Sequence, residues 1–194
     1  MIVECFGLPG SGKTYFANEK SDEYFNFMKF RYSLIGKIWF KIYSWILKWT
    51  RSYKYIESKI IDIINKNKLI ILSSRTKEYI HMYCFISIIY DKYSKKEKKV
   101  IFDEGKIQIL VSLFYENNWD INIAIHEIFS CNNTSKYVYI NTGVRKSFEN
   151  IKVRNRKICE IDYLDDDSIR NLLIKQKEMF DLFQKYLIER GMLW

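Results

Sequence analysis

The stretch that decides the fold is GLPGSGKT, residues 7–14, which has the spacing G-x-x-x-x-G-K-[ST]. The apolar run before it, residues 2–6, is short and ends at a glycine, which indicates a β-strand. After Thr14 the chain continues as YFANEK without Gly or Pro, which favours a first helical turn. A loop of this spacing between a strand and a helix is typical of nucleotide phosphate binding, whereas a plain glycine-rich turn does not need the Lys and Thr.

The residue types in this loop explain how it would hold a phosphate. Three glycines without Cβ atoms allow positive φ angles, so that several backbone N–H groups point inward at one anion. Lys13 would reach the β- and γ-phosphates, and Thr14 would offer its hydroxyl to Mg²⁺. Pro9, the only proline, stiffens the turn. We therefore expect a nucleotide to bind beside the positive end of the next helix, at Gly7, Pro9, Gly10, Ser11, Gly12, Lys13 and Thr14.

Length and composition indicate one domain. The chain has 194 residues, 48% of them hydrophobic, which is ample for a core. Its four cysteines are widely spaced, which favours buried free thiols in a reducing compartment and a cytoplasmic location. No zinc-type cluster of Cys and His is visible. The N-terminus MIVECF lacks the basic region of a signal peptide, and no run of 18 apolar residues predicts a membrane-spanning helix.

The chain is strongly basic, with 32 Lys and Arg against 23 Asp and Glu and a net charge of +9. Such an excess is one mark of nucleic-acid binding. Most of the basic residues are lysines, however, and Lys, Ile, Asn and Tyr are all abundant, as an AT-rich genome favours. Composition therefore explains the charge without nucleic acid as the main ligand. A local positive excess still suits a protein that handles phosphates.

Strand and helix patterns alternate along the chain. Apolar periodicity predicts helices over 34–49, 55–67, 69–90, 107–118, 120–131 (with Asp120 as N-cap) and 165–191. Short β-rich runs predict strands over 2–6, 100–102, 137–141 and 157–162, and LIIL at 69–72 is an alternative strand. This alternation indicates an α/β, three-layer P-loop fold with a parallel sheet. A helix-rich insertion would then separate the phosphate loop from the second motif.

The second motif is VIFDEG, residues 100–105. Three apolar residues followed by Asp103 indicate a buried strand that delivers a carboxylate to the sheet edge where such folds bind ligands. Asp103 would hold Mg²⁺ opposite Thr14, and Glu104 would accept a proton from an attacking hydroxyl or water. Gly105 would permit the turn that follows. The alternative for the two acids is a solvated turn.

Three arginines follow the predicted strand YVYIN, namely Arg145, Arg154 and Arg156. The guanidinium fork matches phosphate oxygens and stays charged, so arginines near a phosphoryl group in transfer can stabilise its spreading charge. A solvated basic helix is the alternative interpretation of this segment.

Together these motifs resemble the P-loop kinases of the nucleoside and nucleotide monophosphate kinase superfamily. The loop GLPGSGKT matches that family, and the roughly 90 helix-filled positions between Lys13 and Asp103 are similar to the thymidylate and deoxynucleoside kinases. The stretch YVYINTGVRKSFENIKVRNRK resembles the family's strand, acceptor turn and arginine-bearing lid, and KICEID with the C-terminal helix resembles its ending. Two departures stand out: Asn150 replaces the first lid arginine, and Glu104-Gly105 replaces an arginine-containing turn.

The resemblance implies one kinase-like domain over 1–194, with a helical acceptor or lid insertion over 20–95 and an arginine-bearing lid over 143–157. It implies ATP and Mg²⁺ as cofactors and a small-molecule acceptor, which we leave open as a nucleoside, a nucleotide or a sugar-like metabolite. The metal would lie between Thr14 and Asp103. The catalytic residues would be Lys13, Asp103, Glu104, Arg154 and Arg156.

Two functions of different classes fit these motifs. The first is a kinase that moves the γ-phosphoryl group of ATP to a small acceptor, where positioning and charge do most of the work. The second is an NTP-hydrolysing P-loop switch or regulator, in which Glu104 orients a water molecule.

The predicted helix over 34–49 raises a separate question. It carries three tryptophans and three lysines in an amphipathic pattern, with Leu34, Ile35, Ile38, Trp39, Ile42, Trp45, Ile46 and Trp49 on one side. A basic amphipathic helix can lie on a membrane surface. Apolar stripes at helical spacing more often face a core, so the alternative is a core helix or an acceptor-lid helix.

Overall fold

The computed structural model describes residues 1–69, 72–96, 98–129, 135–154 and 160–194. Its described strands form one parallel sheet in the order β2-β3-β1-β4. Their bounds are β1 Ile2–Phe6, β2 Phe25–Asn26, β3 Val100–Phe102 and β4 Ser135–Tyr139. The central strand β1 thus pairs with β3 on one side and with β4 on the other. This confirms the predicted α/β class and parallel sheet.

Helices make up most of the rest of the described chain. The α-helices are α1 Lys13–Glu19, α2 Phe27–Tyr32, α3 Leu34–Leu47, α4 Arg51–Lys66, α5 Ser74–Ser94, α6 Lys106–Glu116, α7 Ile121–Ile123, α8 Val144–Arg154 and α9 Asp166–Glu189. A π-helix over Ala124–Ile128 continues α7, and a 3-10 helix over Glu160–Tyr163 precedes α9. The helices α2 to α5 fill the interval between β2 and β3, which is the predicted helix-rich insertion.

Every residue of β1 is buried, because helices cover both faces of the sheet. Ile2 and Phe6 belong to the large core that packs against helices including α5, α6 and α9. Val3 and Cys5 point to the other face and join a smaller cluster with Ala17 of α1. Alternate side chains of one strand therefore serve two cores, which gives the three-layer arrangement.

The strand predicted over 157–162 is wrong where the structure describes it. Residues 157–159 lie outside the described residues, and Glu160–Tyr163 forms a 3-10 helix. On the edge of β4 that faces away from β1, the pairing partner is the last few residues of the chain instead. The amide of Tyr137 donates to the carbonyl oxygen of Met192 at 3.2 Å, and the amide of Trp194 donates to that of Tyr137 at 2.8 Å. A short alternation of apolar and polar residues fits a strand, but it fits equally well a helical turn that buries one side chain. Here the buried side chain is Ile161.

Several predicted helices have different ends. The helix expected over 69–90 begins at Ser74, since the Ser73 hydroxyl accepts a hydrogen bond from the Thr76 amide as an N-cap. Residues 70 and 71 of the alternative LIIL strand lie outside the described residues. Asp120 caps α7 as predicted, but the segment then turns into a π-helix, and residues 130 and 131 lie outside the described part. Sequence patterns also missed β2 and α2, which are too short for a clear period.

Helix α3 presents its apolar stripe to solvent. Of the eight stripe residues only Trp39 is partly buried; the others are exposed. The opposite face packs inward, with Phe40 against Phe85 of α5 at 4.5 Å between ring centroids and with Leu47 buried. The expectation that this stripe faces a core is therefore wrong. The helix has two apolar faces, and the inner one is made by Gly36, Trp39, Phe40, Tyr43 and Leu47.

A histidine joins three helices of the insertion. The two ring nitrogens of His81 on α5 form hydrogen bonds at 2.8 Å to the hydroxyls of Ser44 on α3 and Tyr53 on α4. Desolvation by the surrounding helices, with a smaller contribution from the charge of Lys48, lowers the pKa of His81 from 6.5 to about 4. The neutral imidazole therefore holds the insertion together.

This histidine should give the fold an acid-sensitive component. Its pKa is lower in the folded than in the unfolded chain, so the free energy of unfolding should fall as pH drops from about 6.5 to about 4. In His81→Gln we expect a lower Tm at pH 7, from lost hydrogen bonds, but a shallower fall of Tm on acidification. Thermal unfolding followed by circular dichroism over that pH interval measures both slopes. Equal slopes in the two proteins would contradict this assignment.

A buried carboxylate fixes the turn after β3. Glu4 in β1 accepts hydrogen bonds from the Tyr90 hydroxyl at 2.7 Å and from the Ile107 amide at 2.6 Å. Burial raises the pKa of this carboxyl, while these two donors and nearby Lys106 oppose the rise. Gly105 lies against the pair, because a Cβ there would stand 2.3 Å from the Glu4 Cδ atom and 2.4 Å from the Tyr90 hydroxyl. The glycine is thus required for space at a backbone φ of −119° that any residue can adopt.

Filling that space should destabilise the protein. In Gly105→Ala the new methyl group must displace the Glu4–Tyr90 pair, and we expect the free energy of unfolding to fall by about 1–3 kcal/mol. Urea unfolding at constant m-value measures the change. The matched control is Gly143→Ala, where a Cβ would meet no atom within 4 Å. Similar small effects in both variants would show that the turn has room to relax.

Candidate active site

The phosphate loop connects β1 to α1 with the backbone shape that its glycines permit. Gly10 and Gly12 have φ angles of +78° and +97°, in the region that L side chains rarely adopt. A Cβ at Gly10 would also stand 2.7 Å from the carbonyl oxygen of Ser147. The first helical residue, Lys13, follows an N-cap glycine with no side-chain capping bond. Residues 9–15 line a cavity of about 520 Å³, so the first residues of α1 form part of its wall.

Lys13 lies folded under the loop that it belongs to. Its ammonium group donates to the carbonyl oxygens of Gly7 and Leu8, both at 2.8 Å, and the residue is 8% exposed. Burial lowers the pKa of Lys13 from 10.5 to about 8, and the charges of Glu104 and Asp103 oppose that shift. A buried cation whose charge is this poorly solvated would gain from an anionic ligand in the cavity.

Thr14 and Asp103 meet directly, although 89 positions separate them in the sequence. The Thr14 hydroxyl donates to Oδ2 of Asp103 at 2.7 Å. The second carboxylate oxygen, Oδ1, is buried and has no hydrogen-bond partner among the described residues. An unpartnered buried carboxylate oxygen beside a hydroxyl fits a hard cation such as Mg²⁺, which prefers oxygen ligands.

The donor set suits a metal that is only partly held by protein. Within the described residues no group of three or more His, Cys, Asp and Glu side chains could hold a metal ion. Thr14 and Asp103 would thus supply at most two ligands. Mg²⁺ commonly binds through one or two protein oxygens and takes the rest from phosphates and water. The residues present therefore fit a magnesium ion that arrives with a nucleotide.

Glu104 stands where three cavities meet. It lines the phosphate-loop cavity, a second cavity of about 310 Å³ and a third of about 440 Å³. The Glu104 side chain is exposed to solvent through these cavities. Protein atoms nevertheless surround its carboxylate on most sides, and the resulting desolvation raises the pKa of Glu104 from 4.5. The charge of Lys13 opposes the rise, whereas that of Asp103 adds to it. Such a carboxylate can contact a ligand, and its raised pKa makes it a stronger base than an ordinary glutamate.

The second cavity has walls of mixed chemistry. It is lined by Arg31 and Tyr32 at the end of α2, by Glu78, Tyr79 and Met82 on α5, and by Gln108, Ile109 and Ser112 on α6. Aromatic surface next to hydrogen-bonding side chains is typical of a pocket for a small organic molecule. Gln108 also lines the phosphate-loop cavity, so the two spaces are neighbours.

The three predicted arginines differ in their surroundings. Arg154, at the end of α8, lines the phosphate-loop cavity and the third cavity and donates to Oδ1 of Asp162 at 3.0 Å. Arg156 lies outside the described residues. Arg145 is exposed, pairs with Glu149 of its own helix at 2.9 Å, and lines neither of these two cavities.

Two residues of the site were not singled out by sequence reasoning as ligands. Asn150, noted only as a replacement for an arginine, donates from its side chain to the Gly10 carbonyl oxygen at 2.8 Å and so holds the phosphate loop from α8. Gln108 belongs to the first turn of α6, and its Oε1 is buried without a partner among the described residues. In the sequence, only the position of Gln108 shortly after the second motif could have indicated that it belongs to the site.

Solved structures share this fold. The structure of deoxyadenosine kinase from M. mycoides with the products dCMP and a flexible dCDP bound is similar to this chain, with a TM-score of 0.58 and 15% sequence identity. The match covers 100% of this chain and 88% of that one. Structures of that enzyme with bound dATP and with bound dCTP match with TM-scores of 0.53, at the same identity and with 89% and 88% of their chains covered.

At this identity the likeness establishes the fold. The chain has a deoxynucleoside-kinase-like P-loop fold, as its sequence resemblance implied. No protein-family model matches the sequence, and no curated protein is significantly similar to it. Within the described residues no helix is both long and apolar enough to cross a membrane.

The buried ammonium group offers a direct test of the site's electrostatics. We expect Lys13 to titrate at about pH 8 in the ligand-free protein. In Glu104→Gln its pKa should fall further, because that substitution removes a negative charge that now favours the protonated amine. The pH dependence of Lys13 acetylation, quantified by mass spectrometry, measures both values. A midpoint at 10.5 in either protein would contradict the burial of this group.

Proposed function

We propose that the protein is an ATP-dependent phosphotransferase that moves the γ-phosphoryl group to a small-molecule acceptor. The observation that carries the proposal is the meeting of two cavities at one acidic residue. The first is bordered by the phosphate loop and the second by Tyr32, Tyr79 and Gln108, and Glu104 lines both. Kinases need this arrangement, since donor and acceptor must lie on either side of one transfer point.

On the donor side, the loop amides and Lys13 would bind the phosphates of ATP. The ammonium group would leave the Gly7 and Leu8 carbonyl oxygens, both 2.8 Å away, for phosphate oxygens. Thr14 and Asp103 would hold Mg²⁺, which when bound neutralises charge on the β- and γ-phosphates.

A cytoplasmic location is part of the proposal. Cys5 and Cys84 are buried free thiols, and burial raises the pKa of each to about 12. Free thiols are typical of proteins in a reducing compartment.

At the transfer point Glu104 would take the proton of the acceptor hydroxyl. As that oxygen bonds to the γ-phosphorus, the bond from phosphorus to the β,γ-bridging oxygen breaks and ADP leaves with its electron pair. Arg154 would turn its guanidinium from Asp162 toward the transferred group, whose charge it stabilises. The segment 143–157 would thereby act as a lid, and Arg156 remains a prediction.

On the acceptor side, the insertion over 20–95 would supply one wall of the pocket. Arg31, Tyr32 and Tyr79 come from it, and Gln108 of α6 also lines this cavity of about 310 Å³. Structures that share the fold contain dCMP, dATP or dCTP, which supports an acceptor of nucleoside or nucleotide size. A sugar-like metabolite with a primary hydroxyl meets the same chemical requirement.

The second cavity also argues against an NTP-hydrolysing switch. A hydrolase needs room near Glu104 for one water molecule only, whereas this cavity is large enough for a small organic acceptor and is lined by hydrogen-bonding side chains. Acceptor dependence separates the two functions.

The deciding experiment incubates the protein with Mg²⁺ and γ-labelled ATP against a panel of nucleosides, nucleotides and sugars. We expect a labelled product with at least one member, and ADP formation that requires that acceptor. Lys13→Ala should lose the product by roughly 10³-fold while its circular dichroism spectrum stays unchanged. ATP loss at the same rate without any acceptor would support the hydrolytic switch instead.

Replacement of the proposed base should alter the pH profile of transfer. In the wild-type protein the rate should fall as pH decreases through the Glu104 pKa, which lies above 4.5, because the protonated carboxyl cannot accept a proton. Glu104→Gln should lower kcat by about 10²–10⁴-fold and remove this acid limb. Rates with the identified acceptor between pH 5 and 8 measure both effects. A Gln variant that keeps the limb would assign it to another group.

A further inference from the structure

The outer face of α3 is unused by the proposed reaction. Side chains at this face are strongly exposed, among them Leu34 at 77%, Trp45 at 65% and Trp49 at 70%. At about 100° per residue, the exposed apolar positions fill one unbroken arc of about 120° on the helix. We call this exposed set the outer face; it consists of Leu34, Ile35, Ile38, Ile42, Trp45 and Ile46 on α3 and of Trp49 in the turn directly after the helix.

The sequence segment that carries the outer face has only positively charged side chains. Between Tyr24 and Ile56 the sequence has seven basic residues and no Asp or Glu. Lys37, Lys41 and Lys48 are exposed and lie along one edge of the arc, and Lys54 stands over the Trp49 ring at 5.9 Å. An apolar face bordered by lysines complements a surface whose interior is apolar and whose outer layer is negatively charged.

The helix is held rigidly with this face outward. Its other side is fixed by the Phe40–Phe85 contact at 4.5 Å and by the Ser44–His81 hydrogen bond at 2.8 Å. With 14 residues α3 is about 21 Å long, too short to cross the hydrocarbon core of a bilayer. Its length and the exposure of its outer side chains suit a position along a bilayer surface.

From the exposed arc and its border of lysines we infer that the outer face of α3 docks on an anionic lipid bilayer. The apolar side chains enter the boundary between headgroups and acyl chains, where Trp45 and Trp49 are favoured. The lysines lie at the level of the anionic headgroups. A second copy of the chain fits less well, because it would bring the same positive charges and no carboxylate from this region.

Vesicle binding tests the inference without reference to phosphoryl transfer. The full-length protein should co-sediment with phosphatidylcholine vesicles that contain phosphatidylglycerol, much less with phosphatidylcholine alone, and its tryptophan emission should shift to the blue. Trp45→Ser with Trp49→Ser should lower the partition coefficient at least about tenfold. Changing Lys37, Lys41 and Lys48 to Gln should lower it on the order of a hundredfold, at about fivefold per lysine.

Two controls distinguish docking through the outer face from nonspecific adsorption of exposed apolar side chains. Ile174→Ser with Ile188→Ser removes exposed apolar side chains from α9 and should leave binding unchanged. Trp45→Phe with Trp49→Phe should keep binding but lose most of the blue shift, which locates the membrane contact at these two rings. All variants should retain the wild-type circular dichroism spectrum, since their side chains are exposed.

Three results would overturn the inference. The first is no binding to anionic vesicles, and the second is binding that the Trp45→Ser, Trp49→Ser variant retains in full. The third is a dimer by light scattering that the same variant converts to monomers, with no vesicle binding; this would make the outer face an interface between copies.

Discussion

The parallel pairing of β1 with β3 is the constraint on which the rest of the site depends. Because the two strands are neighbours in register, their carboxyl ends deliver the phosphate loop and Asp103 to one edge of the sheet. The 2.7 Å hydrogen bond from Thr14 to Asp103 is the outcome. On its other side β1 pairs with β4, whose chain continues into α8 and brings Asn150 and Arg154 to the same edge. Three distant segments thus converge through the order of the strands alone.

Burial gives this edge its chemical character. Desolvation lowers the pKa of Lys13 and raises that of Glu104, so each charge is less stable than it would be in water. A polyanionic ligand that approaches with a cation would neutralise the charge of the buried lysine and let the metal meet the unpartnered Asp103 oxygen. Glu4 is buried behind the site and bonds the start of α6, which fixes the turn that carries Glu104. The site is therefore stabilised from inside the core and completed from the solvent side.

Helix α3 shows how far periodicity can be trusted. The spacing of its apolar residues correctly predicted an amphipathic helix. It could not say which face is buried, because Phe40, Tyr43 and Leu47 form a second apolar side that the larger stripe obscured. Burial depends on the partner, here Phe85 of α5, and the partner is chosen by the packing of the whole insertion. The same limit explains the strand wrongly expected at 157–162, where a single buried side chain, Ile161, fits a 3-10 turn as well.

By itself the sequence determined the local chemistry: a glycine-rich turn between a strand and a helix, and an apolar run that ends in Asp103 and Glu104. These follow from short-range rules, namely the conformational freedom of glycine and the burial of consecutive apolar residues. Only the tertiary structure decided that Thr14 contacts Asp103, that Glu104 borders a second cavity, and that Arg154 but not Arg145 lines the phosphate-loop cavity. Such contacts join positions far apart in the chain, and strand order and helix packing, which bring them together, are properties of the whole fold.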